Sequence, residues 1–340
     1  MTSDPAPQSG PAPILGSYER RMSARLIGDM NIADFNREVR ERRVAKFDHA
    51  INAEDLDKLY NIGRLESIIL KEIVPALYVD VVVDGMPRKL IDAKGPDDDS
   101  NLDTIRGSLT RGATIRVCDV QKFDPMLEAF VREVQTDFQG RCQVNAYLSP
   151  PNNSGFRPHF DTTDIFIVQC SGSKRWNLYP DYSNQVELPL LETPWDPGLY
   201  RPAAEPESMT LHRGDVLYLP RGAMHEAFCN DHESLHLTIS LAPLTMAGLA
   251  ERAFRRMLQT DIDMRRRLDW ATPADAATLA RLNRQVRQML TRWVETIDIA
   301  DLIEAEQKDL FARPMARAGD GDGLQSTIDM LVKRAGEVPR

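Results

Sequence analysis

Between Ala76 and Leu241 the chain breaks into short runs of alternating apolar residues, most of them closed by a turn signal. Ala76–Val83 (ALYVDVVV) runs into Asp84-Gly85, a hairpin signal, and Lys89-Leu90-Ile91 is the expected returning strand. Ala113–Val120, Gln143–Leu148, Phe160–Cys170 and Lys174–Tyr179 continue the series, with Ser171-Gly172-Ser173 as a turn between the last two. Ser208–Leu211, Asp215–Leu219, Glu226–Cys229 and Leu235–Leu241 complete it. So many short strands predict an antiparallel barrel or a double-sheet jelly roll. The expected fold class is mainly β with helical additions: a double-stranded β-helix core followed by a helical C-terminal region.

The flanks carry other patterns. Residues 1–16, rich in Pro, Ser and Gly, are expected to form a disordered lead. Helices are expected across 17–45, at Glu54–Tyr60, Leu65–Lys71 and Thr104–Leu109, and at Asp124–Phe138 with Asp124-Pro125 as its start. Residues 180–206 hold six prolines and are expected to form a long irregular loop over the barrel. After Pro243, Ala250, Phe254, Met257, Leu258 and Ile262 form one helical stripe. Leu279, Leu282, Val286, Met289, Trp293 and Ile297 form another, with the three-four alternation of a helix pair or short coiled coil. That seam either packs on the barrel or joins two copies as a homodimer. The expected division is a lead at 1–16, a catalytic domain at 17–243, a helical region at 244–300, and a tail at 301–340 with a short helix at Thr327–Lys333.

Composition narrows the function. The chain has 340 residues and a formal net charge of -9. An acidic chain does not bind nucleic acid directly through phosphate contacts, and its balance is compatible with a basic peptide or protein partner. No apolar run is long enough to cross a membrane, and the N-terminus lacks the form of a signal peptide. The four cysteines are scattered, with no CxxC pair. That pattern fits reduced thiols in a cytoplasmic protein rather than a disulfide framework or a cysteine zinc site.

The chemistry centres on His159 and Asp161, a His-x-Asp pair on an expected strand start, with His225 following 64 residues after Asp161. On a strand, residues two apart share a face, so the pair can chelate one metal. Two imidazoles and a carboxylate are the facial ligand set of non-haem Fe(II), which leaves open positions for a bidentate oxo acid and O2. An oxo acid with a second carboxylate needs a cation at its far end. Lys174 can supply that ion pair, or it can be a turn lysine on the surface; spacing alone does not separate the two. Of the other histidines, His49, His212 and His232 are expected on surface segments. His236 shares a strand face with Thr238, in a packing role or next to the site.

The stretch NAYLSPPNNSGFRPHFDTTDIFIVQCSGSKRWNLY, together with RGDVLYLPRGAMHEAF, resembles the JmjC-type ribosomal oxygenases, also called the cupin-4 family. It follows their pattern N-x-Y-x(2)-P-P-x(3)-G-F-x-P-H-x-D and then G-D-x-L-Y-x-P-R-G-x-x-H. The resemblance covers roughly residues 20–245 and implies a cupin/JmjC jelly roll. It also implies that His159, Asp161 and His225 bind Fe(2+), that Lys174 binds the 5-carboxylate of the cosubstrate 2-oxoglutarate, and that Asn145 and Tyr147 line its pocket. Thr238 is expected as a further pocket contact. Members of this family hydroxylate Arg or His side chains of ribosomal proteins with O2, and they dimerise through helices after the barrel. Two departures stand out: only about 40 residues follow Ile299, too few for the winged-helix domain of known members, and Arg157 occupies a position usually held by a smaller residue. Arg157 is therefore a candidate substrate contact. The alternatives are the same chemistry on a ribosomally made peptide or small molecule, and a non-catalytic cupin-like binding protein. Lysine demethylation is disfavoured, since the match is to the hydroxylase branch.

Overall fold

Asn31, Asn52 and Asn61 each cap a helix in the first part of the chain. The computed structural model describes residues 21–312 except 72, 96–99, 154 and 268–274. The expected lead at 1–16 and the helix at Thr327–Lys333 lie outside the described residues. In α1 (Ile32–Glu38), α2 (Ala53–Leu59) and α3 (Ile62–Leu70), each cap side chain accepts from the backbone N–H three residues on, which satisfies one of the otherwise unpaired N-terminal donors. Next come β1 (Ala45–Phe47, between α1 and α2), β2 (Val79–Val83), β3 (Met86–Lys89), α4 (Leu90–Ala93), α5 (Asn101–Thr110), β4 (Thr114–Val117) and α6 (Pro125–Phe138). The remaining strands follow: β5 (Gly140–Ser149), β6 (Asp164–Tyr179), β7 (Glu207–His212), β8 (Val216–Leu219) and β9 (Met224–Pro243). Helices α7 (Met246–Thr260), α8 (Ala276–Thr296) and α9 (Ile299–Ala312) close the described chain.

All nine strands join one antiparallel sheet in the order β1-β8-β6-β9-β5-β4-β2-β3, with β7 paired to β6 beside this path. This is the expected sheet-rich class. Strands β6 and β9 run alongside each other from Asp164↔Leu241 to Tyr179↔Met224, and β9 also pairs along the whole of β5. Alternation along β6 separates two cores. Phe166 and Val168 point to the helical side, where the rings of Phe35, Phe138 and Tyr218 pack tilted around Phe166. Ile165 and Ile167 point inward with Trp176, Leu178 and Leu217. Each such buried side chain contributes about 2 kcal/mol of transfer free energy, so a one-residue slip would cost both faces at once.

Several elements differ from expectation. Residues Ala76–Tyr78 form a 3-10 turn before β2, and Val120 opens another after β4. The returning strand is Met86–Lys89; Leu90 instead opens α4, where it is 1% exposed. The segments on either side of Ser171-Gly172-Ser173 form one strand. Gly172 takes φ 64°, and the β6–β9 register shifts on both sides of it, so this signal marks a bulge rather than a turn. A Cβ there would sit 1.9 Å from the Glu233 carbonyl oxygen, a contact only glycine avoids. Opposite the bulge, the two expected strands Glu226–Cys229 and Leu235–Leu241 are likewise one, so His232 lies on β9. The strand expected from Phe160 starts at Asp164, and β1 begins at Ala45, the last residue of the segment expected to be helical.

The C-terminal helices keep only part of the expected stripes. In α7 the buried face is Leu249, Ala253 and Met257, of which Leu249 and Ala253 pack against Leu302 of α9, while Phe254 and Ile262 are exposed. No side chain of α8 is buried.

Candidate active site

His159 precedes β6 and meets β9 through an isolated bridge. Its N–H donates to the His225 carbonyl (3.0 Å), and the His225 N–H donates back (2.7 Å). The pair therefore holds its spacing through backbone alone. Asp161 follows in the same extended segment, ahead of the strand on which it was expected. Its carbonyl accepts the Gly222 N–H at 2.9 Å. Gly222 takes φ 87°, where an added Cβ would meet the Val186 carbonyl oxygen at 2.6 Å. The Pro220-Arg221-Gly222 turn thus brings the start of β9 against the His-x-Asp segment.

One ligand atom from each of His159, Asp161 and His225 lies within 4.8 Å of the others. Within the set, His225 Nε2 lies 3.7 Å from Asp161 Oδ2. Both imidazoles are oriented from behind: His159 Nδ1 lies 2.7 Å from the Arg157 carbonyl oxygen, and His225 Nδ1 lies 2.9 Å from that of Ala223. A carbonyl accepts only, so Nδ1 carries the proton on each ring and Nε2 presents a lone pair. Burial, and then the neighbouring His159, push the His225 imidazole down to about 4. It is neutral at physiological pH, as a ligand must be. Two neutral nitrogens and a carboxylate fit a divalent iron.

The three residues line a cavity of about 330 Å³. Lys174 lines the same cavity and is 1% exposed. Its Nζ donates to Ser149 Oγ at 2.9 Å, and Ser149 in turn shares a hydrogen bond with Thr114. Among the described residues no carboxylate pairs with it. Burial pushes this amine down to about 8. A buried ammonium with only a hydroxyl partner is costly unless an anion joins it. The surface-turn alternative for Lys174 is thereby removed, because the bulge at Gly172 keeps it on a strand facing inward.

The remaining candidates divide. Tyr147 and Thr238 line the cavity, and Asn145 lines it while its Oδ1 accepts the Asp119 N–H at 3.0 Å. Arg157 is exposed; its Nε donates to the Asp84 carbonyl (3.1 Å) and its side chain packs on Gly85 of the β2–β3 turn, outside the cavity wall. His236 is the cross-strand partner of Tyr147 and stacks on it, with ring centroids 4.7 Å apart and planes 3° apart. It is 3% exposed, its Nδ1 has no hydrogen-bond partner among the described residues, and burial and Lys174 hold it well below its ordinary pKa. Sequence reasoning missed Arg116, Trp176, Gln143 and Ser240, which also line the cavity. Arg116 pairs with buried Asp80 and lies over the Phe156 ring at 4.9 Å. Its inward placement follows from alternation on β4, a signal that the short ATIRVCDV run carried.

Residues 117–249 match the JmjC domain family. Ribosomal oxygenase 1 of Rattus norvegicus is 35% identical over 167 residues, which are 44% of this chain and 28% of that protein. A bifunctional lysine-specific demethylase and histidyl-hydroxylase of Dictyostelium discoideum is 38% identical over 132 residues, 38% of this chain and 25% of that one. The chain thus spans about a quarter of the length of these relatives. Among solved structures, E. coli ycfD superposes with a TM-score of 0.54 at 17% identity, over 82% of this chain and 70% of its own. A second structure of that ribosomal oxygenase, in complex with cobalt and succinic acid, gives 0.50 at 17% identity, over 80% and 68%. The fold is the one these proteins share.

Proposed function

We propose that this chain, which carries a JmjC domain across residues 117–249, is an Fe(II)- and 2-oxoglutarate-dependent dioxygenase that hydroxylates an amino-acid side chain of a protein, of the ribosomal-protein type. The observation that carries the proposal is one cavity lined by two unlike groups: the oriented set His159, Asp161 and His225, and Lys174, which is buried and among the described residues has no carboxylate partner. The named activities of the matching relatives support it. Overall, O2 would oxidise 2-oxoglutarate to succinate and CO2, one oxygen atom entering succinate and the other a substrate C–H bond.

Fe(II), when held by His159, Asp161 and His225, supplies open positions at which an oxo acid and O2 react. The protein's own groups do the rest. Lys174 gives the far carboxylate of 2-oxoglutarate a charge-assisted hydrogen bond in a dry pocket. Tyr147, its hydroxyl kept protonated by burial, is a donor on the same wall, and Trp176 and the Tyr147–His236 stack narrow the space to a slim diacid. Asn145 and Thr238 complete the polar lining. Arg157 stands beside His159 at the surface, where a protein substrate would approach.

We further read the exposed apolar residues of α8, among them Leu279, Val286 and Val294, as the contact of a homodimer, and the compartment as cytoplasmic. Sedimentation of Leu279→Asp/Val286→Asp against the parent chain tests the first; a monomer in both refutes it. The hydroxylase itself is tested by release of labelled CO2 from 2-oxoglutarate with ribosomal-protein peptides, read with product mass. Gain of one oxygen is expected. Loss of a methylene from a methyl-lysine peptide, with formaldehyde, would assign the demethylase half of the relatives' names instead.

A further inference from the structure

The segment joining β6 to β7 reaches the His159 side of the site through Trp195. Trp195 lies 6.4 Å from the His159 ring, stacks on Tyr200 at 5.5 Å, and meets Phe160 edge-on at 5.2 Å. The base of the segment is tied down. Tyr182 OH donates to the Gly222 carbonyl (2.9 Å), Ser183 Oγ and Asn184 Nδ2 donate to the Leu199 carbonyl, and Tyr182 forms a bridge with Pro202. A segment fixed in this way has no reason of its own to leave apolar side chains in water. Yet Leu188, Leu190, Leu191, Trp195 and Leu199 are exposed by 37–57%. Five large apolar side chains within twelve residues make a patch rather than scattered exceptions.

Charge decides what covers the patch. Residues 181–200 contain four carboxylates (Asp181, Glu187, Glu192, Asp196) and neither lysine nor arginine. All four are exposed, and among the described residues none forms an ion pair. Glu187 and Leu188 line a separate groove together with Arg42 and Arg43, whereas Glu192 and Asp196 flank Trp195 along the chain. An apolar surface edged by unpaired negative charge selects a positively charged chain with apolar residues and disfavours a second copy of this acidic protein.

We propose that the 188–199 segment is a docking wall for a basic polypeptide carrying apolar residues, with Trp195 as the anchor that sets one substrate side chain beside His159. The proposal rests on the hydroxylase function for its purpose, but its test reads binding alone. The probes are fluorescein-labelled peptides: one of Arg-Leu repeats, one with Glu replacing Arg, and one with Ser replacing Leu. Anisotropy is measured on the full chain, at low and at physiological salt.

The Arg-Leu peptide is expected to bind at least tenfold more tightly than either of the others, and less tightly as salt rises. Glu192→Lys with Asp196→Asn, which keeps the side-chain cap on the Gly198 N–H, should weaken it at least tenfold, and so should Trp195→Ala. A control with the same change in net charge elsewhere, Glu66→Lys with Glu295→Gln, should bind like the parent. Equal binding of the three peptides, or equal losses in control and segment variants, overturns the proposal. So does a segment variant that changes only the oligomeric state. Selective binding without turnover would count against the hydroxylase function instead, and turnover without selectivity against the docking wall.

Discussion

His159 and His225 exchange backbone hydrogen bonds with each other, at 3.0 and 2.7 Å. Two proposed ligands from distant parts of the chain are thus joined by an interaction that involves neither side chain. Pre-organisation of this kind separates folding from metal binding.

It follows that His159→Ala and Asp161→Ala should each abolish 2-oxoglutarate turnover while leaving the fold intact. His159 and Asp161 are only half-buried, so each change should shift stability by about 1 kcal/mol or less. Thermal unfolding beside a decarboxylation assay checks both. Iron-dependent activity surviving in both variants would remove the triad assignment.

Lys174→Met should act in opposite directions on binding and on stability. The isosteric thioether removes a buried charge that has only Ser149 as partner, so the cosubstrate-free protein should gain about 1–3 kcal/mol. Affinity for 2-oxoglutarate should fall at least tenfold with the salt link gone. Urea unfolding and calorimetry read the two effects. Unchanged affinity would leave the lysine without its proposed role.

The Lys174 amine, lowered to about 8 by burial, also fixes a pH dependence. Its folded pKa lies below its unfolded value of 10.5, so the unfolded chain binds more protons between the two. The sign is therefore a stability that rises with pH across that window in the ligand-free protein. Below about 8 the buried charge is present in full and destabilises. Cosubstrate binding needs the charged form and should weaken about tenfold per pH unit above about 8. Lys174→Met should flatten both slopes; a wild-type profile that is already flat would show that the amine does not titrate there.

Gly172→Ala tests the bulge that turns Lys174 inward. With φ at 64° and a carbonyl 1.9 Å from the new Cβ, the change should cost more than about 2 kcal/mol and weaken 2-oxoglutarate binding as Lys174 moves. Equilibrium unfolding is the readout, with Gly112→Ala as reference, where φ is also positive but no atom lies within 4 Å.

Much of this was legible in the sequence because it is local. Alternation placed most strands, Asp124-Pro125 marked the start of α6, and the spacing of His159, Asp161 and His225 pointed to one metal. Other features depended on partners far along the chain. Ser171-Gly172-Ser173 has the composition of a turn; only the Glu233 carbonyl on β9 makes it a bulge. For the same reason Lys174 could not be assigned inside or outside from its neighbours. Leu90 reads as strand in the sequence because a short apolar run has no period of its own, and tertiary packing makes it the start of a helix. His236 gained its place only through cross-strand pairing with Tyr147.

The central claim is one cavity that binds Fe(II) at His159, Asp161 and His225 and 2-oxoglutarate against Lys174. Anaerobic titration of both into the metal-free protein tests it most directly, through the visible metal-to-ligand charge-transfer band of a chelated oxo acid. A band is expected that is lost in His225→Ala and needs more 2-oxoglutarate in Lys174→Met. A folded wild-type protein that gives no band would contradict the account.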